Sequence, residues 1–114
     1  MRLSSYDIEC IQRAKNFIDS DTRHHHSISE IAEYAFINIT KLKAGFKELF
    51  GLGLFHYLAE QRLQKGKYLL ENTGKSLKQI SHLSGYNYTC NFNTAFKKRF
   101  GKPPGSYRKE AEPH

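Results

Sequence analysis

The chain of 114 residues resembles itself, and this internal repeat limits the folds it can adopt more than any other feature. Residues 45–51 (GFKELFG) align with residues 95–101 (AFKKRFG) at an offset of 50. Further pairs follow at an offset of 50 or, upstream, 49: Leu42 with Phe92, Tyr57 with Tyr107, Ser27 with Ser76, Glu30 with Gln79, Ile31 with Ile80 and Ala32 with Ser81. The second copy therefore has one extra residue between its two helices.

Each copy reads as a short helix, a tight turn and a second short helix. Ser27 and Ser76 are followed three residues later by Glu30 and Gln79, the pattern of a capping box that opens a helix. Gly51 and Gly101 follow the second helix of each copy as expected stops. Two short helices joined by a tight turn are the helix-turn-helix plan, whose second helix enters the DNA major groove.

Apolar residues recur at three- and four-residue steps throughout, and no segment alternates like a strand. We therefore predict an all-α fold of about seven helices, forming two helix-turn-helix subdomains joined by a long linker helix. Ile8, Leu49 and Phe55 are expected on apolar helix faces. The expected segments are an N-terminal helix with a polar connector (1–26), the first helix-turn-helix (27–53), the linker helix (54–73), the second helix-turn-helix with a closing turn (74–109) and a tail (110–114).

The linker helix has the length that such an arrangement needs. About 17 residues at 1.5 Å per residue span roughly 25 Å. Two helices that enter the groove on one face of B-DNA lie about 34 Å apart. The sequence thus predicts that the linker holds the two subdomains at something like that spacing.

Basic residues are concentrated in the second part of the chain. Lys and Arg number 18 against 11 Asp and Glu, a formal net charge of +7. Between Asn72 and Lys109 there are eight cations and no acidic residue. Such one-sided charge suits a phosphate-binding face. The alternative is a basic helical protein-interaction module that binds an acidic partner.

Other functional classes find little support in the sequence. No apolar run approaches the roughly 20 residues of a membrane helix, and Cys10 and Cys90 alone suit a reducing cytoplasm. Three adjacent histidines, 24–26, cannot all reach one metal ion from regular structure, so we expect neither metal nor cofactor. Cys90 is expected to be a small side chain rather than a redox sensor. No catalytic triad or phosphate-binding loop is present, so we predict no enzymatic activity.

The residues from Ile28 to Arg108 resemble the C-terminal DNA-binding region of the AraC/XylS transcriptional regulators. The resemblance rests on ISEIAEYA, KLKAGFKELFG, YLAEQRLQKGKYLL and SLKQISHLSGYNYTCNFNTAFKKRFGKPPGSYR, and covers about 80 residues. The segment KLKAGFKELFG is most similar to members of the siderophore-receptor-regulator kind. The resemblance implies a transcription regulator of the bacterial nucleoid that binds promoter DNA and contacts RNA polymerase. Two-domain family members have an effector domain before this region, where this chain has about 27 residues.

The resemblance also implies which residues contact DNA. Base contacts fall on Thr40, Lys43, Ala44, Thr89, Cys90, Asn93 and Thr94. Backbone contacts are expected from Lys41, Lys47, Arg62, Lys97 and Lys98.

Three positions depart from the family pattern. Family members often have Arg at the positions of Ala44 and Thr94, so guanine readout is left to Lys43. Phe36 stands in the first turn where the family prefers Gly, so a different turn geometry or stability is expected there. In the second turn, Tyr86 is expected to pack inside, and Tyr88 is left unassigned.

Overall fold

A computed structural model of the protein describes residues 2–20 and 25–111. Within these residues the fold contains seven α-helices and no strand, which confirms the predicted all-α class. The helices are α1 (Ser5–Ser20), α2 (Ile28–Ala35), α3 (Ile39–Phe50), α4 (Leu54–Asn72), α5 (Leu77–Leu83), α6 (Thr89–Phe100) and α7 (Pro104–Ala111). In the part of the chain described, no helix is both long and apolar enough to cross a membrane.

The chain divides into two compact units, Met1–Ala59 (unit 1) and Glu60–His114 (unit 2). The boundary lies inside α4, so the helix predicted as a linker contributes its first turns to unit 1 and the rest to unit 2. Each unit contains one pair of short helices separated by a turn. These pairs are α2 with α3 in unit 1 and α5 with α6 in unit 2.

The core of unit 1 is formed where α1, α2 and α3 pack together. Ile11, Ile31 and Ala35 are completely buried, and so are Leu42 and Phe46 of α3. Their spacing of three or four residues along each helix is the pattern that predicted amphipathic helices. Burial of such side chains is the main contribution to the stability of a unit this small.

The core of unit 2 is built from the second half of α4 together with α5 and α6. Ile80, Phe92 and Phe96 are completely buried, and Leu63 and Leu70 of α4 are nearly so. The helices approach closely at Gly66, where a Cβ atom would lie 2.6 Å from Cε1 of Phe92. This contact requires a glycine in the middle of α4, although glycine weakens a helix interior.

The predicted helix starts are confirmed. Ser27 Oγ accepts a hydrogen bond from the Glu30 amide at 3.1 Å. Ser76 and Gln79 form a complete capping box, in which each side chain accepts from the backbone amide of the other. Ser4 and Asp7 make the same reciprocal pair at the start of α1. These bonds satisfy amides that have no partner within the helix.

Three residues predicted on apolar faces are exposed instead. Ile8 is 43% exposed, Leu49 38% and Phe55 63%. Each lies on a helix whose core contacts are already made by close neighbours, such as Phe46 beside Leu49 and Leu54 beside Phe55. Helical periodicity identifies the apolar side of a helix but not how much of it the neighbouring helices cover.

Candidate nucleic-acid interface

Three aromatic residues occupy equivalent places in the two units. The equivalent residues are Phe46 with Phe96, Phe50 with Phe100 and Tyr57 with Tyr107. In unit 1 the ring of Phe46 lies 4.7 Å from that of Phe50 and 5.3 Å from that of Tyr57, centroid to centroid. In unit 2 the corresponding distances are 4.6 and 5.5 Å. The sequence repeat is therefore also a repeat of core geometry.

The turns between the short helices share one backbone shape. Phe36 ends α2 with φ 59° and ψ 41°, in the left-handed region, and Gly85 occupies the matching position with φ 91°. The next residue, Ile37, donates to the Ala32 carbonyl at 3.1 Å, and in unit 2 Tyr86 donates to the Ser81 carbonyl at 3.0 Å. Two helix-turn-helix motifs of the same construction are thus present.

The outer face of α3 is polar and open. Its exposed residues include all three predicted base contacts of this helix, and Glu48 is exposed near its C-terminal end; the others are Thr40, Lys41, Lys43, Ala44 and Lys47. They lie opposite the buried Leu42 and Phe46. The first turns of this face, before Glu48, can approach the floor of a groove without burying a carboxylate or a large apolar side chain.

The outer face of α6 is less fully exposed. Its exposed residues are Cys90, Thr94, Lys97 and Lys98, whereas the predicted base contacts Thr89 and Asn93 are half-buried. Thr94 Oγ1 donates to the Cys90 carbonyl at 2.9 Å, so the hydroxyl is used within the helix. Asn93 Oδ1 is buried without a hydrogen-bond partner.

The cations on these helices differ in how their charge is neutralised. Lys41 Nζ lies 3.4 Å from the buried carboxylate of Asp7, and that contact, after the Ser4 backbone, helps to hold the pKa of Asp7 below its ordinary value. Within residues 2–20 and 25–111, no ion pair involves Lys43, Lys47, Lys97 or Lys98. These four charges are available to a polyanion.

Several cations of the basic stretch 72–109 are engaged inside unit 2 instead. Arg99 makes two hydrogen bonds of 2.7 Å to the Glu60 carboxylate, and this pairing lowers the pKa of Glu60. Lys102 pairs with Glu110. Local sequence patterns could not predict the first pair, because its members are 39 residues apart.

Arg108 closes the second helix-turn-helix rather than extending the basic face. Its guanidinium donates to the carbonyls of Leu70 at 3.3 Å, Thr73 at 3.0 Å and Lys75 at 2.5 Å. These carbonyls lie at the end of α4 and just after it, where backbone acceptors lack helical partners. Tyr107 donates to the Glu71 carboxylate, and burial together with this bond raises the pKa of Tyr107 to about 12. The closing Tyr-Arg pair therefore fastens α7 to α4.

The remaining predicted residues are placed as follows. Arg62 is half-buried on α4. Tyr86 packs against Phe92 with ring centroids 5.5 Å apart, as predicted, and Tyr88 is exposed. The prediction for the three histidines includes His24, which lies outside the described residues. Among the residues that are described, no group of three or more metal-ligating side chains occurs.

Comparison with known families identifies residues 31–110 as a match to a family described as "Helix-turn-helix domain". A putative AraC-like transcription regulator from Streptomyces antibioticus is 31% identical over 103 residues, which is 90% of this chain and 34% of that protein. The Msm operon regulatory protein of Streptococcus mutans is 29% identical over 102 residues, again 90% of this chain and 37% of that protein. The chain thus spans about a third of the length of these relatives.

Solved structures share the fold closely. The C-terminal domain of AraT, a response regulator from Geobacillus stearothermophilus, is 27% identical with a TM-score of 0.84, covering 100% of this chain and 92% of that one. The C-terminal domain of the two-component response regulator yesN from Fusobacterium nucleatum is 28% identical with a TM-score of 0.78, covering 85% and 95%. The match over residues 31–110 shows that the chain belongs to the helix-turn-helix domain family, and its relatives and its fold identify it as a DNA-binding domain of the AraC type.

Proposed function

We propose that the protein recognises a specific duplex DNA sequence through α3 and α6 and thereby regulates transcription of neighbouring genes. The observation that carries the proposal is the repeated helix-turn-helix itself. In each unit the second helix is fixed by a buried aromatic cluster on one side and exposes polar and cationic residues on the other. A helix held in this way can be inserted into a major groove without rearrangement of its own unit.

In unit 1 the proposed base contacts are Thr40, Lys43 and Ala44. Lys43 is the cation among them, and a lysine ammonium group is a suitable donor to O6 and N7 of guanine. Thr40 offers a hydroxyl and a methyl group at the start of α3, and Ala44 a methyl group one turn later. The fully exposed face of α3 favours direct contact by all three.

In unit 2 the proposed base contacts are Thr89, Cys90, Asn93 and Thr94. Because its hydroxyl is bonded to the Cys90 carbonyl, Thr94 offers mainly its methyl group, which suits the methyl group of thymine. Asn93 can pair with adenine through two hydrogen bonds only if its buried Oδ1 turns outwards on binding. Unit 2 is therefore expected to read bases mainly by small apolar and single hydrogen-bond contacts.

Backbone contacts are proposed for Lys41, Lys47, Arg62, Lys97 and Lys98. Lysines that make no internal ion pair lose the least on binding phosphate, which favours Lys47, Lys97 and Lys98. Lys41 must share its charge with Asp7. Phosphate contacts of this kind supply affinity and orientation but no sequence information.

The wider role follows from the names of the relatives. The DNA-binding domain of AdpA, which shares the fold at a TM-score of 0.79, was solved in complex with a target DNA. Two relatives from bacteria are named as regulators of operons. On this support we propose action at bacterial promoters on the nucleoid, in the cytoplasm. Because a protein bound at a promoter lies beside RNA polymerase, we propose that enzyme as a further partner.

A salt titration on promoter duplexes tests the proposal. If about six phosphates are neutralised, the logarithm of the association constant should fall with the logarithm of salt concentration at a slope near −5. Lys43→Ala should reduce discrimination between sites, whereas Lys97→Ala should weaken binding to all sites alike and make the slope shallower by about 1. Retention of a mixed-sequence duplex no tighter than heparin would contradict the proposal and favour a module that binds an acidic protein.

A further inference from the structure

The ring of Phe55 is exposed to solvent near α3, the second helix of the helix-turn-helix motif in unit 1. Phe55 stands in the first turn of α4 with 63% of its surface exposed, and it takes no part in the core of unit 1. The adjacent Leu54 is buried. A single exposed phenylalanine is common on protein surfaces and by itself implies nothing.

The exposed ring becomes relevant to DNA binding because the side chain of Lys43 contacts it. Lys43 Nζ lies 4.9 Å from the centroid of the Phe55 ring, within the range of a cation–π contact. Lys43 is also the only cation among the three proposed base contacts of α3. No ion pair competes for it among the residues that the structure describes.

A lysine side chain has four rotatable bonds, and fixing it against a base costs conformational entropy. A ring that already holds the ammonium group reduces that cost. The other lysines of α3 lack this support, since Lys41 pairs with Asp7 and no ring contact is found for Lys47 in the described part of the chain. Lys43 thus differs from Lys41 and Lys47, because within the described residues its ammonium group contacts a ring and pairs with no carboxylate.

Unit 2 has no equivalent arrangement. At the offset of 50, Lys43 corresponds to Asn93 and Phe55 to Gly105, so both members of the pair are replaced. The contact between a lysine and a phenylalanine ring at these positions is therefore specific to unit 1.

We propose that Phe55 is a positioning residue for base recognition, which holds the Lys43 ammonium group ready for contact and thereby sets the sequence discrimination of unit 1. The inference rests on the proposed function, in which Lys43 reads a base. It predicts an effect on discrimination between sites and none on sequence-independent affinity. The Phe55 ring need not contact DNA for this effect.

The first test uses the free protein. The ring current of Phe55 should shift the proton resonances of the Lys43 Cε methylene group to high field in a ¹³C–¹H spectrum. Phe55→Leu should abolish this shift and Phe55→Tyr should keep it. A Lys43 resonance that is the same in the protein and in Phe55→Leu would overturn the inference.

The second test measures binding to duplexes selected by the protein from a random-sequence library, and to the same duplexes with single base-pair changes. Phe55→Leu should reduce discrimination by about three- to fivefold at the base pairs that Lys43→Ala affects. Binding to a mixed-sequence duplex should change less than twofold. Tyr68→Leu, which removes another exposed ring of α4, is the matched control and should leave discrimination unchanged. Phe55→Tyr should retain it.

The double variant separates this role from a general one. In Lys43→Ala with Phe55→Leu, discrimination should fall no further than in Lys43→Ala alone. Additive losses, or a loss of equal size on every duplex, would overturn the inference while leaving the proposed function intact. A protein that selects no sequence at all would overturn the proposed function and this inference with it.

Discussion

The turn between the two short helices has a phenylalanine at its left-handed position in unit 1 and a glycine at the same position in unit 2. Both residues adopt positive φ angles, 59° at Phe36 and 91° at Gly85, yet only glycine does so without steric cost. Phe36 is 68% exposed, and the centroid of its ring lies 5.4 Å from Cζ of the Arg13 guanidinium group. Unit 1 therefore tolerates a strained turn that unit 2 avoids.

The recognition helices also begin differently. Asn38 caps α3 by accepting from the Lys41 amide at 2.8 Å. Tyr88 stands at the same place before α6 and makes no side-chain cap. The better cap is thus in the unit with the strained turn, and the better turn is in the unit with the uncapped helix.

A third difference concerns the helix that supports each motif. In unit 1, α1 packs on α2 and α3, and a Cβ atom at Gly45 would lie 2.2 Å from Cδ1 of Ile11. In unit 2 the corresponding residue is Ala95, and α7 packs on α6. One aromatic framework is thus kept in both units, while the turn, the cap and the supporting helix differ around it.

Removing a central ring of the aromatic framework tests whether the framework is equally important in both units. Phe46→Ala and Phe96→Ala should each lower the free energy of unfolding by about 3–5 kcal/mol, because both rings are completely buried. Urea denaturation followed by circular dichroism measures this. A cost below about 1 kcal/mol at one position would show that the two clusters are not equivalent.

The turns should respond in opposite directions. Gly85→Ala should destabilise by about 1–2 kcal/mol, because it places a Cβ atom on a left-handed residue. Phe36→Gly should stabilise by a few tenths of a kcal/mol, since relief of the same strain is partly offset by the entropy of glycine. Thermal denaturation of both variants measures the contrast. A lower melting temperature for Phe36→Gly would mean that the Arg13 contact outweighs the strain.

Substitutions at the N-caps of α3 and α6 should change stability by a smaller amount. Asn38→Ala should cost about 1 kcal/mol, because it leaves the Lys41 amide without its acceptor. Tyr88→Asn should stabilise α6, whose preceding residue already has the extended backbone of an N-cap, with φ −129° and ψ 136°. Amide hydrogen exchange at the first turn of each helix gives the measurement. Unchanged protection in both variants would contradict the conclusion that α3 has a side-chain N-cap and α6 lacks one.

The smallest effect concerns the Glu60–Arg99 pair of unit 2. The pairing lowers the pKa of Glu60, so the stabilisation is complete above the ordinary glutamate value of about 4.3 and disappears as pH falls through the lowered value. Glu60→Gln should therefore reduce stability at pH 7 and have a smaller effect at pH 3. Glu48→Gln, which changes an exposed carboxylate of unit 1, is the control. An equal effect of Glu60→Gln at both pH values would contradict the ion pair.

Local sequence patterns predicted the seven helices, the capping residues and the buried faces. Ser76 with Gln79, and Phe46 with Phe50, lie within one turn of each other, so their relation is visible in the sequence. The contact of Lys43 with Phe55 and the pairing of Arg99 with Glu60 join residues 12 and 39 positions apart, which only packing brings close. The hydrogen bonds from Arg108 to three backbone carbonyls could not be predicted for the same reason. Net charge alone therefore overstates the cations available to DNA.

Selection of duplexes from a random library tests the central claim that each unit reads its own part of a DNA site. The wild-type protein should enrich two separate blocks of fixed base pairs. Lys43→Ala should weaken the enrichment of one block, and Thr94→Ser, which removes the exposed methyl group of Thr94, that of the other, each without affecting its neighbour. Failure to enrich any sequence, or loss of the same block in both variants, would contradict the account.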